Sequence, residues 1–195
     1  RIHLLHDKDG DGRADVAKVF AEGFNEEING VMAGVLPYRG DVFATIYPDV
    51  WKLNDTDGDG YADKREVFFH GFGVHAALDG HDLHGLTVGP DGKLYFSVGD
   101  NGFSVRTREG RLLHHPNTGG VLRCNWDGSD LEVFATGLRN VQELAFDDFG
   151  NLFSVDNDGD IREERERFVY ITEGSDSGWR LNWQFKKGGW PGRTQ

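Results

Sequence analysis

The chain has 195 residues, enough for one domain with its own core. Its formal charge is −12, from 21 basic and 33 acidic residues, so nucleic acid is a poor partner, because phosphate binding draws on Lys and Arg. Glycine is frequent at 28 and apolar residues make up 37%, a mixture that suits short strands with tight turns and excludes a disordered chain.

The opening RIHLL reads as a strand, with no Met and no leader, and the far end GGWPGRTQ carries no stopping signal. The expected chain is therefore a piece of a longer protein. DKDGDGRADVAK follows at 7–18, with Asp7, Asp9, Asp11 and Asp15 at the spacing of a calcium loop and Lys18 in place of its last acid. KVFAEGF at 18–24 and GVLPYRGDVFATIYPD at 34–49 read as strands around a turn. A second acidic loop, DTDGDGYADKRE, occupies 55–66. Asp55, Asp57 and Asp59 stand at loop positions one, three and five, then come the Tyr61 carbonyl, Asp63, and Glu66 at the twelfth position. Both loops are flanked by strand patterns rather than helices, so only the loop chemistry of an EF-hand is expected. Asp and Gly are also simply good turn formers.

EVFFHGF at 66–72 leads to GLTVGPDGKLYFSVGD at 85–100, where Leu94, Phe96 and Val98 alternate with Tyr95 and Ser97, as a strand requires. The one cysteine, Cys124 in VLRCNW, rules out an internal disulfide and a thiolate zinc site, and reads as a small packed hydrophobe. NWDGSD and EVFATGL at 132–138 come next, then ELAFDDFGNLFSVDND at 143–158. IREERERF is compatible with a short helical turn or with a solvated charged strand or loop. No apolar run is long enough to span a membrane.

The three Val-Phe segments repeat from Lys18, Glu66 and Glu132, each after an Asp/Gly turn, and a strand–turn–strand segment follows each of them. Units of about 40–50 residues with four strands each are propeller blades. The expected fold is all-β: a single partial propeller over 1–195, with roughly three blades, part of a fourth and two open edges.

HDLHGLTVGPDGKLYFSVGDNG at 81–102, GLRNVQELAFDDFGNLFSVDNDGD at 137–160 and GSDSGWRLNW at 174–183 resemble the PQQ-dependent soluble and aldose-type sugar dehydrogenases, which are six-bladed propellers. With its Asp/Gly loops, the whole chain resembles more closely the PVC-type membrane-bound dehydrogenase-domain proteins, exported proteins that often carry a haem-c domain. The chain has no CxxCH, so any haem c or cytochrome c partner domain would lie outside it. The resemblance implies about half of a six-bladed propeller, a periplasmic or extracellular location, PQQ and calcium as cofactors, and a sugar or polyol substrate. It makes His81 the general base and places Arg139, Asn140 and Asn157 on the cofactor, with backbone carbonyls near Asp158 and Gly159 holding calcium. His81, Arg139 and Asn157 are then expected to line one end of a central channel. His75 and His84 stand close to His81 in sequence, and Gly80 occupies the place of an acid found in some relatives. A non-catalytic propeller for protein or glycan and a lactonase-type hydrolase are the competing functions.

Overall fold

The computed structural model describes residues 1–25, 27, 31–75, 80–157 and 165–180. Asp158, Gly159 and the first half of IREERERF lie outside them. The described residues contain strands and turns and no helix.

Among the described residues, four antiparallel sheets follow one another along the chain, with a fifth, two-stranded one inserted within the third. The first pairs β1 (Ile2–His6) with β2 (Val16–Ala21). The second is a four-stranded meander of β3 (Met32–Tyr38), β4 (Asp41–Ile46), β5 (Asp49–Asn54) and β6 (Lys64–His70). The third begins with β7 (Leu83–Val88) and β8 (Leu94–Val98), then inserts a separate hairpin of β9 (Phe103–Arg106) and β10 (Leu112–His115). It closes with β11 (Gly119–Cys124) and β12 (Glu132–Leu138), again four strands in meander order. The fourth has three strands, β13 (Ala145–Phe146), β14 (Leu152–Asp156) and β15 (Arg167–Ile171).

The sequence repeats fall on equivalent strands. The Val-Phe segments lie on β2, β6 and β12, each the last strand of its sheet. The strand–turn–strand segments form β3–β4, β7–β8 and β13–β14, each the first pair. The spacing from Glu66 to Glu132 exceeds that from Lys18 to Glu66 because the β9–β10 hairpin is inserted there. Insertions between repeats go to loops, where they leave the stacked core intact.

The core lies between the sheets. Strand alternation sends Leu94, Phe96 and Val98 toward the second sheet, against Phe43, Phe69 and Phe72. Tyr95 points the opposite way, into a layer with Phe134, Leu144, Leu152 and Ile171. A third layer, with Phe20, Phe24, Ile46 and Leu53, joins the first two sheets. Both faces of β8 are therefore covered, and all five of its residues are buried. Each fully buried large apolar side chain contributes about 1.5–3 kcal/mol, so these three layers are the main stabilising feature. Cys124 packs in the first layer, where burial pushes its thiol up to about 12 and leaves it unreactive. The two end sheets expose apolar side chains: Leu5 on β1, and Val155, Phe168 and Tyr170 on β14 and β15.

In a meander, successive connections alternate between the two ends of a sheet. The β1–β2 and β5–β6 loops, which hold the acidic segments, lie at one end. They are neighbours, since Lys18 Nζ donates to the Asp59 carbonyl at 3.1 Å. The links β6–β7, β8–β11 and β12–β13 lie at the other end, and they carry His81, Asp100 and Arg139.

Candidate functional site

His81 stands just before β7 and Asp100 just after β8, so pairing of the two strands brings them together. The turn holding Asp100 presses on the His81 backbone: Gly99 N donates to Asp82 O at 2.7 Å, and a side chain at Gly99 would overlap the His81 carbonyl. His81 Nδ1 lies 2.8 Å from Asp100 Oδ1. The carboxylate is only 2% exposed and the imidazole 15%. With the carboxylate as acceptor, Nδ1 carries a proton.

Asp100 is also tied to the residue after β12 and to Trp179. Its backbone N donates to the Arg139 carbonyl at 2.7 Å, and its Oδ2 accepts the Trp179 indole N–H at 2.6 Å. The Arg139 guanidinium lies over the Trp179 ring, 5.5 Å from its centroid. The Arg139–Asn140 backbone is capped by Asp156, which is fully buried at the end of β14. Its carboxylate accepts Arg139 N at 3.0 Å and Asn140 N at 2.8 Å, and pairs with Arg167. A buried carboxylate needs such a set of donors to offset its lost hydration.

His84, on β7, is buried beside them and donates from Nε2 to the Gly80 carbonyl at 2.6 Å. Burial holds its pKa below the usual histidine value, with the Gly80 carbonyl and the Asn140 side chain opposing. The depressed pKa has a consequence for acid stability. Below about pH 6.5 the unfolded chain takes up a proton that native His84 refuses, so stability falls as the pH drops from there toward the native pKa. Urea unfolding at pH 7.5 and 5.5 should show a smaller loss for His84→Gln than for the parent. Equal losses would show that His84 does not contribute.

The structure thus brings His81, Arg139 and Asn140 into one contact network. Asn157 joins through a cavity of about 440 Å³ that it lines with Asn140, Gln142, Glu143, Phe153 and Phe168. Asn157 Oδ1 is buried without a hydrogen-bond partner, while the Asn140 side chain faces His84. His75 instead pairs with Asn117 through Nε2 at 2.9 Å.

The family description of DUF7133, a domain of unknown function, matches residues 1–177. The chain belongs to the DUF7133 family. Curated proteins include none that matches it. Among solved structures, the DUF7133 chain is similar to the PQQ-bound form of aldose sugar dehydrogenase from Streptomyces coelicolor, with 24% identity and a TM-score of 0.51 over 72% of this chain and 43% of that one. It is also similar to a protein assigned as a gluconolactonase (18% identity, TM-score 0.43, 72% and 49% covered). A third is a luciferin-regenerating enzyme (12%, 0.40, 71% and 46%). The chain spans less than half the length of each. The first likeness shows the fold, that of a β-propeller.

At the opposite end of the DUF7133 sheets, Asp7, Asp9 and Asp15 bring one oxygen each within 4.8 Å of one another, and so do Asp55, Asp57 and Asp59. The two loops share one hydrogen-bond plan. Asp7 accepts from Gly10 and Gly12 N–H, and Asp55 accepts from Gly58 and Gly60 N–H, which holds both carboxyls below the usual carboxylate range. Asp11 accepts from Arg13 N and Asp63 from Thr56 N, while the Tyr61 hydroxyl meets Arg65. Glu66 lies on β6, with its carboxylate 3.0 Å from Arg108 of the β9–β10 hairpin.

Sequence reasoning did not pick out Asp100, Trp179 or Asp156. The signals were present: Asp100 sits in the Gly-Asp-x-Gly turn, Trp179 in the Gly-Trp pair, and Asp156 ends the strand before Asn157.

Proposed function

We propose that this DUF7133 chain is about half of a six-bladed propeller that oxidises a sugar or polyol with PQQ. The observation that carries this is the His81–Asp100 pair, buried on its carboxylate side and joined through Trp179 to Arg139. Further blades are supported by the apolar faces on both end sheets, which match the inter-sheet layers already packed.

The residues present fit the cofactor. Arg139 offers a planar cation for a carboxylate or quinone oxygen. Asn140 and Asn157 offer amides beside a cavity, and the Asn157 carbonyl oxygen is buried without a partner. When bound, PQQ supplies the acceptor for the hydride. Oxidising a hydroxyl-bearing carbon breaks its C–H and O–H bonds and forms a carbonyl. His81 Nε2 takes the O–H proton, and the Asp100 carboxylate stabilises the imidazolium that results. The calcium near Asp158 and Gly159, an exported location and a downstream haem-c domain as electron partner belong to the same proposal.

The test is dye-linked oxidation of a sugar and polyol panel by the full-length protein with PQQ and calcium. Oxidation that requires PQQ supports the assignment. Binding of glycans without oxidation of any of them overturns it in favour of a non-catalytic propeller.

The acidic loops are proposed as calcium sites. Their ionised carboxylates lie together at the surface, and a hard divalent cation offsets that repulsion. Calcium is expected to raise the thermal midpoint, with a Kd of about 10⁻⁴–10⁻³ M. Calorimetry with and without EDTA, on the parent and on Asp57→Ala, checks this. A midpoint that ignores both EDTA and the substitution leaves the second loop as a turn only.

A further inference from the structure

Trp179 is 1% exposed and reaches the site from the segment 174–179, which runs alongside β12. Its backbone is pinned on both sides. Trp179 N donates to Gly137 O at 2.9 Å, and Thr118 Oγ1 donates to Trp179 O at 3.0 Å. The preceding residues add two more bonds, Thr136 N to Ser175 O at 2.9 Å and Ser177 N to Thr136 O at 3.0 Å. The indole therefore has little freedom to choose its partner.

That partner is Asp100 Oδ2, the oxygen that His81 leaves unused. A carboxylate held by one oxygen can swing about its last bond, and the histidine bonded to it swings with it. Held by both oxygens it cannot. The ring face of the same Trp179 supports the Arg139 guanidinium. One side chain thus touches both the group that orients the imidazole and the cation.

We propose that Trp179 is a positioning residue, whose N–H locks Asp100, and through it the orientation and tautomer of His81, while its ring sets Arg139. The catalytic part of this inference rests on His81 being the general base, whereas the structural coupling does not. In the full-length protein, Trp179→Phe keeps the ring and removes the N–H, and Trp179→Leu removes both. In the parent, ¹⁵N-histidine NMR should show His81 in a single Nδ1–H tautomer with an exchange-protected ring proton. In Trp179→Phe that signal should lose its protection and give a mixture of tautomers. Sugar oxidation should fall about 10- to 100-fold in kcat with little change in KM, as expected for a misplaced catalytic group. Trp179→Leu should in addition weaken PQQ binding.

An unchanged His81 spectrum in Trp179→Phe overturns the coupling. Should neither variant fold, deuterium exchange of the parent's Trp179 indole proton decides instead: protection matching that of core amides supports the lock, and fast exchange overturns it. A changed spectrum in a protein that oxidises no sugar keeps the lock and removes the dehydrogenase.

Discussion

Replacing His81 with alanine is expected to lower kcat for sugar oxidation by about 10²–10⁴, the usual range for a lost general base. The effect should fall on kcat because the imidazole acts on a proton that moves only in the transition state. Asp100 holds the ring through Nδ1 at 2.8 Å, so Asp100→Asn should lower kcat in the same direction. Arg139→Ala should behave differently. The link from Arg139 to Asp100 is the Arg139 backbone carbonyl, which any residue supplies. That variant should chiefly raise the PQQ concentration needed for half-maximal activity. Steady-state rates across a PQQ titration, in full-length protein with calcium, separate the two patterns. Wild-type rates for His81→Ala on every substrate the parent oxidises would remove His81 from the chemistry.

The strands and their order were legible because each sheet is one repeated unit with its turn chemistry written into it. The Asp/Gly turn before each Val-Phe segment sets where the last strand begins, and the alternation through Leu94, Phe96 and Val98 assigns the faces. The placing of His81 and Arg139 at one end followed from the same logic, since both precede the first strand of a sheet. Their connecting groups were not legible. Asp100 and Trp179 are 79 residues apart, and a single sequence contains nothing that pairs two side chains at that separation. The twelfth loop residue shows a second limit. Counted along an EF-hand, Lys18 and Glu66 close their own loops. Here both positions have already entered a strand, and both side chains reach the next unit, Lys18 to Asp59 and Glu66 to Arg108. The β9–β10 hairpin was not anticipated either, because REGR at 108–111 resembles any surface turn.

The next-to-last residue of each Val-Phe segment, a glycine, separates backbone conformation from packing, because the three copies share the first and differ in the second. Gly23, Gly71 and Gly137 all have positive φ, at 90°, 115° and 78°. Alanine in that region costs roughly 1–2 kcal/mol for conformation alone. At Gly23 a Cβ meets nothing within 4 Å, so Gly23→Ala should cost about that much and no more. At Gly71 the added atom would overlap the Ser104 carbonyl on β9, which accepts no alternative position without opening the hairpin from β6. At Gly137 it would overlap Asp176 Oδ1 and the backbone nitrogens of Ser177 and Gly178, the stretch that delivers Trp179 to Asp100. Overpacking adds about 1–3 kcal/mol, so these two variants should each lose about 2–5 kcal/mol. Urea unfolding of the three variants tests the order directly, and equal losses at all three positions would show that the close contacts carry no cost. Gly137→Ala should also free the Trp179 indole proton to exchange, while Gly71→Ala should leave it protected. The difference follows from which neighbour each glycine admits: at Gly71 it is a hairpin on the outer edge, at Gly137 the segment that holds the site together.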